Sequence, residues 1–261
     1  MGFTINQDNF EKTQIILESL DLLEWPTVCS HLSTFAVTQQ GRKKCERFDL
    51  PSDISISQEL LSQTLEIGSL DISLDGGISF QGVHDLENIL LICSKGGIAT
   101  GEDLIKVADT LRAARKLRKL IFDQLIRPRL SELLKDIATL PDLQKLLEFG
   151  LDEGGRIADR ASTNLSELRR HRNAVRLQRK DILQDIIRKY SGLLQDNIVS
   201  ERYGRPVLAF KAGTSDQVSG MVHDSSASGN TIYVEPQAVI SIGNRLAKID
   251  SEISDEERRL L

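Results

Sequence analysis

The 261-residue sequence predicts a mainly α-helical protein in two parts. Residues 1–155 read as a helical N-terminal subdomain. Residues 156–261 read as a long antiparallel two-helix arm with a small antiparallel β element at its tip. Three observations predict this. Aromatic residues are only 5% of the chain, low for a β-rich protein, while Leu and Ile recur at helical spacings. From Ala161 to Tyr190 there is neither Gly nor Pro. Strand-like runs punctuated by Gly and Ser then separate that stretch from a final helical pattern after Pro236.

In the first part, Leu17, Leu20 and Leu23, then Val28, Leu32 and Phe35, fall at helical spacings. Pro26 suits a first helical turn, and Pro51 interrupts the pattern after Phe48. Gly76-Gly77 and Gly96-Gly97 punctuate the segment. Thr100 with Asp103 resembles a capping box opening a helix through Lys119, whose apolar stripe is Leu104, Val107, Ala108, Leu111, Ala114 and Leu117. A further helix is expected over residues 142–149. The run Leu151-Asp152-Glu153-Gly154-Gly155 reads as a hinge.

The arm's first helix is expected over about 161–195. Leu168, Val175 and Ile182 repeat every seven residues with Leu165 and Ile186 beside them, a narrow stripe suited to one partner helix. Such a helix is about 50 Å long at ~1.5 Å per residue. A β insert over about 196–236 follows. Val199, Val207, Leu208 and Phe210 flank a Tyr203-Gly204-Arg205 turn, Pro206 marks a strand start or edge, and Val218, Met221, Val222 and Thr231–Val234 supply further strands. The return helix, about 238–261, carries Ile242, Leu246, Ile249, Ile253 and Leu260. At roughly 36 Å it is shorter than its partner. It stops without a cap, so the sequence predicts a piece of a longer protein, interrupted inside this helix.

Several functions are excluded. No Gly-x-x-x-x-Gly-Lys-Ser/Thr, His-Glu-x-x-His or Gly-x-Gly-x-x-Gly occurs, so no P-loop, zincin or dinucleotide fingerprint is present. Cys29, Cys45 and Cys93 are far apart, against metal binding or a disulfide framework, and suit reduced thiols in a cytoplasmic setting. The first eight residues lack a leader's basic and apolar regions, and no run approaches a membrane span. No cofactor is expected on these residues.

Two features point to a polyanion. The first is the long helix: eight Lys and Arg stand against three acids over 161–190, in a chain of net charge −5. Its Arg169, Arg172, Arg176, Arg179 and Lys180 are candidate phosphate contacts, against the plain alternative of a solvated face. The second is the loop within residues 220–236. Its His223, Asp224 and Ser225 suggest nucleophilic catalysis, but neighbours on a strand point to opposite faces, which separates His223 from Asp224. Two alternatives remain. Ser and Asp groups bond the loop's own backbone with Gly229 at positive φ, or Ser225, Ser226, Ser228 and Asn230 hold a phosphate.

The run Val222-His223-Asp224-Ser225-Ser226-Ala227-Ser228-Gly229-Asn230-Thr231 with Glu235-Pro236 resembles the clamp of the MutS-II family, the bacterial and plastid paralogues of the mismatch-repair ATPase MutS. Arg202-Tyr203-Gly204-Arg205 and Lys211-Ala212 resemble the family's turn and strand end. Residues 32–41, Gly82-Val83-His84-Asp85, Lys95-Gly96-Gly97 and 104–115 match further blocks, in order across nearly the whole chain. The resemblance implies a core, lever and clamp without catalysis of their own. It implies ATP and Mg²⁺ in an ATPase domain and a nuclease-like Smr domain, both outside this chain. It also implies a bacterial cytoplasmic homodimer that binds branched DNA and suppresses homologous recombination. The alternative is a module that meets the ribosome and its RNA when ribosomes collide. Arg202, Arg205, Lys211, His223, Ser225, Ser226, Ser228, Gly229 and Asn230 become the clamp contacts. No Phe-x-Glu wedge accompanies any of the eight Phe residues. Gly213-Thr214-Ser215-Asp216-Gln217 stands where many members carry basic residues, and Pro206 where Tyr is frequent, which predicts a weaker grip.

Overall fold

Three helix starts in the N-terminal unit are set by side chains that accept otherwise orphaned backbone N–H groups. In the computed structural model, which describes residues 15, 18–51, 53–214 and 217–261, the chain divides into two compact units, Met1–Arg156 and Ile157–Leu261. The N-terminal octapeptide, Leu17, Ser215 and Asp216 lie outside the described residues.

The first unit strings together α1 (Trp25–Ser33), α2 (Gln39–Glu46), α3 (Ile54–Ser73), α4 (Glu87–Ser94), α5 (Gly101–Ile121), α6 (Pro128–Leu134) and α7 (Pro141–Gly150). Thr38 caps α2 by accepting from Gly41 N, and Asp53 caps α3 by accepting from Ser55 N. Pro lies in the first turn of α1, α6 and α7, where its missing N–H costs nothing. Thr100 Oγ1 accepts from Asp103 N at 3.2 Å and donates to Asp103 Oδ2 at 2.8 Å, the capping arrangement expected from sequence. The run expected to be a hinge, 151–155, forms a packed turn just before the border of the two units. Asp152 N donates to Arg156 O at 2.8 Å, and Gly155 N to Asp152 O at 2.9 Å. A Cβ on Gly101 would overlap the carbonyl oxygen of Gly155, and one on Gly155 would come within 2.7 Å of Glu102 N. Close approach of two backbones is what Gly101 and Gly155 permit.

In the second unit a 3₁₀ turn (Asp159–Ala161) leads into α8 (Thr163–Lys189), a 27-residue helix of about 40 Å. The expected extension to residue 195 does not form. Leu194 begins strand β1 (Leu194–Arg202) and pairs with Phe210, where it is buried. Leu193-Leu194 fits either period, and sheet pairing decides between them. The return helix α9 (Gln237–Leu260) has 24 residues. The large length mismatch expected between the two helices is therefore absent, and with it the length argument for an interrupted helix.

The helices pack antiparallel through Leu165, Val175 and Leu183 on α8, and Val239, Ile242, Leu246, Ile249 and Ile253 on α9, all buried. The α9 positions step by three and four residues, the seam of two helices in close contact. The next seam position is Glu256, also buried. Ser162, the N-cap of α8, accepts from Leu165 N and donates its hydroxyl proton to Glu256 Oε1 at 2.6 Å, while Arg259 binds both carboxylate oxygens at 2.7 and 2.9 Å. Hydrogen bonds from Arg259 first, then Ser162, hold the Glu256 carboxyl down at about 2 against its ordinary 4.5.

The sheet has the order β1-β2-β4-β3, with β2 Arg205–Lys211, β3 Gly220–Ser225 and β4 Thr231–Pro236, every neighbour antiparallel. Tyr203 (φ 51°) and Gly204 (φ 74°) form a two-residue hairpin turn with both φ positive, the type I′ geometry that matches strand twist. Pro206 pairs with Glu201 of β1, beyond the registered β2–β4 ladder that begins at Leu208, so no sheet hydrogen bond is lost on that side. Leu194, Leu208, Phe210, Val218 and Val234 bury themselves against Leu183 and Val239, with Tyr190 edge-on to Phe210 at 6.4 Å. The insert is thus seated on the adjoining ends of the two helices.

Two outcomes follow. A carboxyl whose folded pKa lies below its unfolded value adds stability above the unfolded value and loses it as pH falls. Unfolding titrations between pH 4.5 and 2 should show native protein losing more stability than Glu256→Gln across that window. Gly101→Ala should destabilise the first unit by about 1–3 kcal/mol through overpacking, whereas Gly154→Ala, with open space around its Cβ, should be neutral or slightly stabilising in urea melts.

Candidate nucleic-acid interface

Which cations are available is decided by what the fold has already used. On α8, Arg169 donates to Ile157 O at 2.8 Å and pairs with Asp159 at 2.6 Å and Glu257 at 2.7 Å. Burial works against its charge, but its hydrogen bonds to Asp159 and Glu257 outweigh it and the Arg169 pKa is raised. Arg172 reaches Asp250 at 3.4 Å across the seam. Sequence placed both on a binding face; the structure uses them to tie α8 to its own unit, because they lie on the flank of the apolar stripe.

Arg176, Arg179 and Lys180 differ. Among the described residues none of them has a hydrogen-bond or ion-pair partner. They form one wall of a groove of about 510 Å³ between α8 and β1. Leu183, Ile187, Val199 and Pro206 give it an apolar floor, and Glu201 is its carboxylate.

The sheet residues split into two groups at opposite ends of β2, about 20 Å apart at ~3.3 Å per residue. At one end, the Arg202 guanidinium lies 4.1 Å from the Tyr233 ring centroid, a cation–π contact, with Nε 3.4 Å from Asp224 Oδ2. Both terminal nitrogens of Arg205 donate to Asn244 Oδ1 at 3.1 Å, and Nη1 is 3.6 Å from Glu235 Oε1. At the other end, Lys211 Nζ donates to Gly192 O at 3.0 Å.

The loop at that second end closes on itself. Ser226 N donates to Thr231 O at 2.9 Å, Gly229 N to Ser226 O at 2.8 Å with Gly229 at φ 74°, and Thr231 N to Ser226 Oγ at 3.1 Å. Ser226 and Ser228 hydroxyls are 3.3 Å apart, Asn230 O accepts from Ala212 N at 2.9 Å, and Ser225 N donates to Asp224 Oδ1 at 2.8 Å. These are the bonds of the turn alternative. Ser228, Gly229 and Asn230 still face solvent.

His223 sits at a bulge between Val222 and Asp224, and its Nε2 is 2.8 Å from Glu235 Oε2. The Glu235 side chain is buried, and its Oε1 has no hydrogen-bond partner. His223–Glu235–Arg205–Asn244 thus joins three strands to α9. Sequence reasoning missed Glu235 and Asn244. The available signal was Gly243 inside a helix, where a Cβ would lie 3.2 Å from Arg205 Nη1 and 3.8 Å from Glu235 Oε1. His223 is occupied by a carboxylate, and its ring is bonded to no serine hydroxyl among the described residues. Nor do three His, Cys, Asp or Glu side chains gather there as a metal site. None of these helices is long and apolar enough to cross a membrane.

No family model matches the chain. Curated proteins do. Endonuclease MutS2 of a Synechocystis strain is 41% identical over 244 residues, 94% of this chain. The chain belongs to the MutS2 family. Endonuclease MutS2 of Pelotomaculum thermopropionicum is 34% identical over 94% of the chain, and that of Symbiobacterium thermophilum 32% over 93%. The chain spans about 30% of the length of these MutS2 relatives (30%, 31% and 31%). Among its residues, the MutS2 relatives' match takes in both the α8 groove and the sheet.

Removing the imidazole leaves the second Glu235 oxygen without a hydrogen bond as well. His223→Ala should therefore destabilise the second unit by about 1–3 kcal/mol in chemical denaturation, an unsatisfied buried acceptor being the cause.

Proposed function

We propose that this chain is the nucleic-acid-engaging lever and clamp of a MutS2 protein, with branched DNA as its ligand and restraint of homologous recombination as its role. The observation that carries this is the uncommitted set Arg176, Arg179 and Lys180 along one wall of the α8–β1 groove. Cations whose charge the fold has not used can neutralise phosphates and release counterions, which is the source of sequence-independent affinity. Arg202, Arg205, Lys211 and the Ser225–Asn230 loop come second, since phosphate must compete with their present partners. The relatives' name, Endonuclease MutS2, agrees with a nucleic-acid ligand. In this reading ATP, Mg²⁺, the nuclease centre and most of a homodimer interface belong to parts of the protein outside these residues, in the cytoplasm of a bacterium.

The test is an anisotropy titration of a four-way junction, linear duplex and structured ribosomal RNA at two salt concentrations. The junction should bind tightest. Replacing Arg176, Arg179 and Lys180 by Ala should lower the slope of log affinity against log salt by about three, at ~0.9 per lost phosphate contact. An unchanged slope would remove α8 from the interface. Tighter binding of the RNA than of the junction would instead favour the ribosome as target.

A further inference from the structure

A second group of free cations lies in the first unit, on a helix with no role in the reading above. The C-terminal half of α5 runs Arg112-Ala113-Ala114-Arg115-Lys116-Leu117-Arg118-Lys119, five cations in eight residues. Arg112 is used, bound to Asp109 at 2.8 Å and Glu148 at 2.7 Å. Arg118 Nε donates to Leu134 O at 3.3 Å. Arg115, Lys116 and Lys119 have no hydrogen-bond or ion-pair partner among the described residues, and all three are exposed. Glu148, the acid that feels Arg115, is already held by Arg112 and by Gln144 at 2.7 Å.

Arg115, Arg118 and Lys119 line a hollow of about 510 Å³ together with Phe122 and Thr139. Phe122 ends the helix, its N–H donating to Arg118 O at 2.9 Å. Phe122 is 42% exposed, with the Arg118 guanidinium over its ring at 5.9 Å from the centroid. Arg115, Lys119 and Phe122 are spaced by four and three residues and so lie on one face. A water-facing aromatic ring framed by three cations suits a ligand with an exposed π face beside anionic charge. An acidic peptide satisfies the cations but gives the ring nothing to stack on. A paired duplex hides its base faces. An unpaired strand meets both needs.

We infer that the Arg115–Phe122 face of α5 is a binding site for an unpaired DNA strand, with Phe122 as stacking platform and Arg115, Arg118 and Lys119 as phosphate contacts. The choice of DNA over RNA rests on the branched-DNA reading; the demand for phosphate beside an open base face does not.

The test uses the 261-residue chain and a twelve-nucleotide oligodeoxythymidine carrying one 5-iododeoxyuridine. Irradiation should cross-link the oligonucleotide to the peptide containing Phe122. Phe122→Ala should weaken the strand's binding about tenfold, the loss of one stacked base, while Phe122→Trp retains it. Lys119→Glu should weaken it with a reduced salt slope. Cross-links only elsewhere, or unchanged affinity in Phe122→Ala, would overturn the site. So would a polyglutamate peptide binding as tightly as the oligonucleotide, and an oligouridine binding more than tenfold tighter would overturn the choice of DNA. The α8 triple-Ala variant separates the two readings: its junction binding reports on α8 alone, and the Phe122 cross-link should persist in it.

Discussion

The second unit depends on the apolar seam between α8 and α9. Neither helix could stand alone. Charge dominates the solvent face of α8, and helices of this length draw most of their stability from a packed face. Val175 and Val239 are fully buried in that seam, and Leu183 and Val239 also underlie the sheet. The same side chains therefore join the helices and seat the β insert. At the far end the seam closes on a carboxylate. Glu256 occupies a position the heptad spacing gives to an apolar residue, and it is tolerated because Ser162, Arg259 and the N-terminus of α8 all favour its negative charge. One capping serine thus starts α8 and anchors α9.

The fold also sorts the basic residues by use. Arg169 and Arg172 are drawn into contacts that hold the unit together, and Arg205 is held by Asn244 beside the buried carboxylate of Glu235. Such contacts lower the cost of burying Glu235, and they lower the availability of those arginines to a ligand. The α8 cations left free along the groove are the set one turn further along, Arg176, Arg179 and Lys180. On α5 the same sorting spends Arg112 and leaves Arg115, Lys116 and Lys119. Net charge conceals this. The chain is acidic overall, yet it presents two cationic faces because Arg and Lys are concentrated locally on α8 and α5.

Where sequence signals were local, they were legible. Thr100–Asp103 opened a helix, Tyr203-Gly204 turned a hairpin, and the apolar periodicity of α9 named Ile242, Leu246, Ile249 and Ile253 correctly as buried. Where two local readings were nearly equal, long-range contacts decided. Leu194 left the helix for a strand because its pairing with Phe210 buries it. The close approach of Gly155 to Gly101 had no such signal, since a glycine pair looks the same in sequence whether or not another backbone comes close. The network of His223, Glu235, Arg205 and Asn244 had almost no signal, since its members are up to 39 residues apart.

From sequence alone came the mainly helical class, the β insert between two helices, the Thr100 cap, the Tyr203-Gly204 turn, and the surplus of positive charge on α8. Each of these rests on interactions between residues close in the chain, or on a periodicity that any burying surface would select. The tertiary structure alone decided which arginines are free, where the helix yields to the sheet, and that the candidate contacts occupy two ends of the sheet and one groove. Those outcomes depend on which distant acid, carbonyl or backbone reaches each side chain. A guanidinium has the same letter in the sequence whether it binds Asn244 or water.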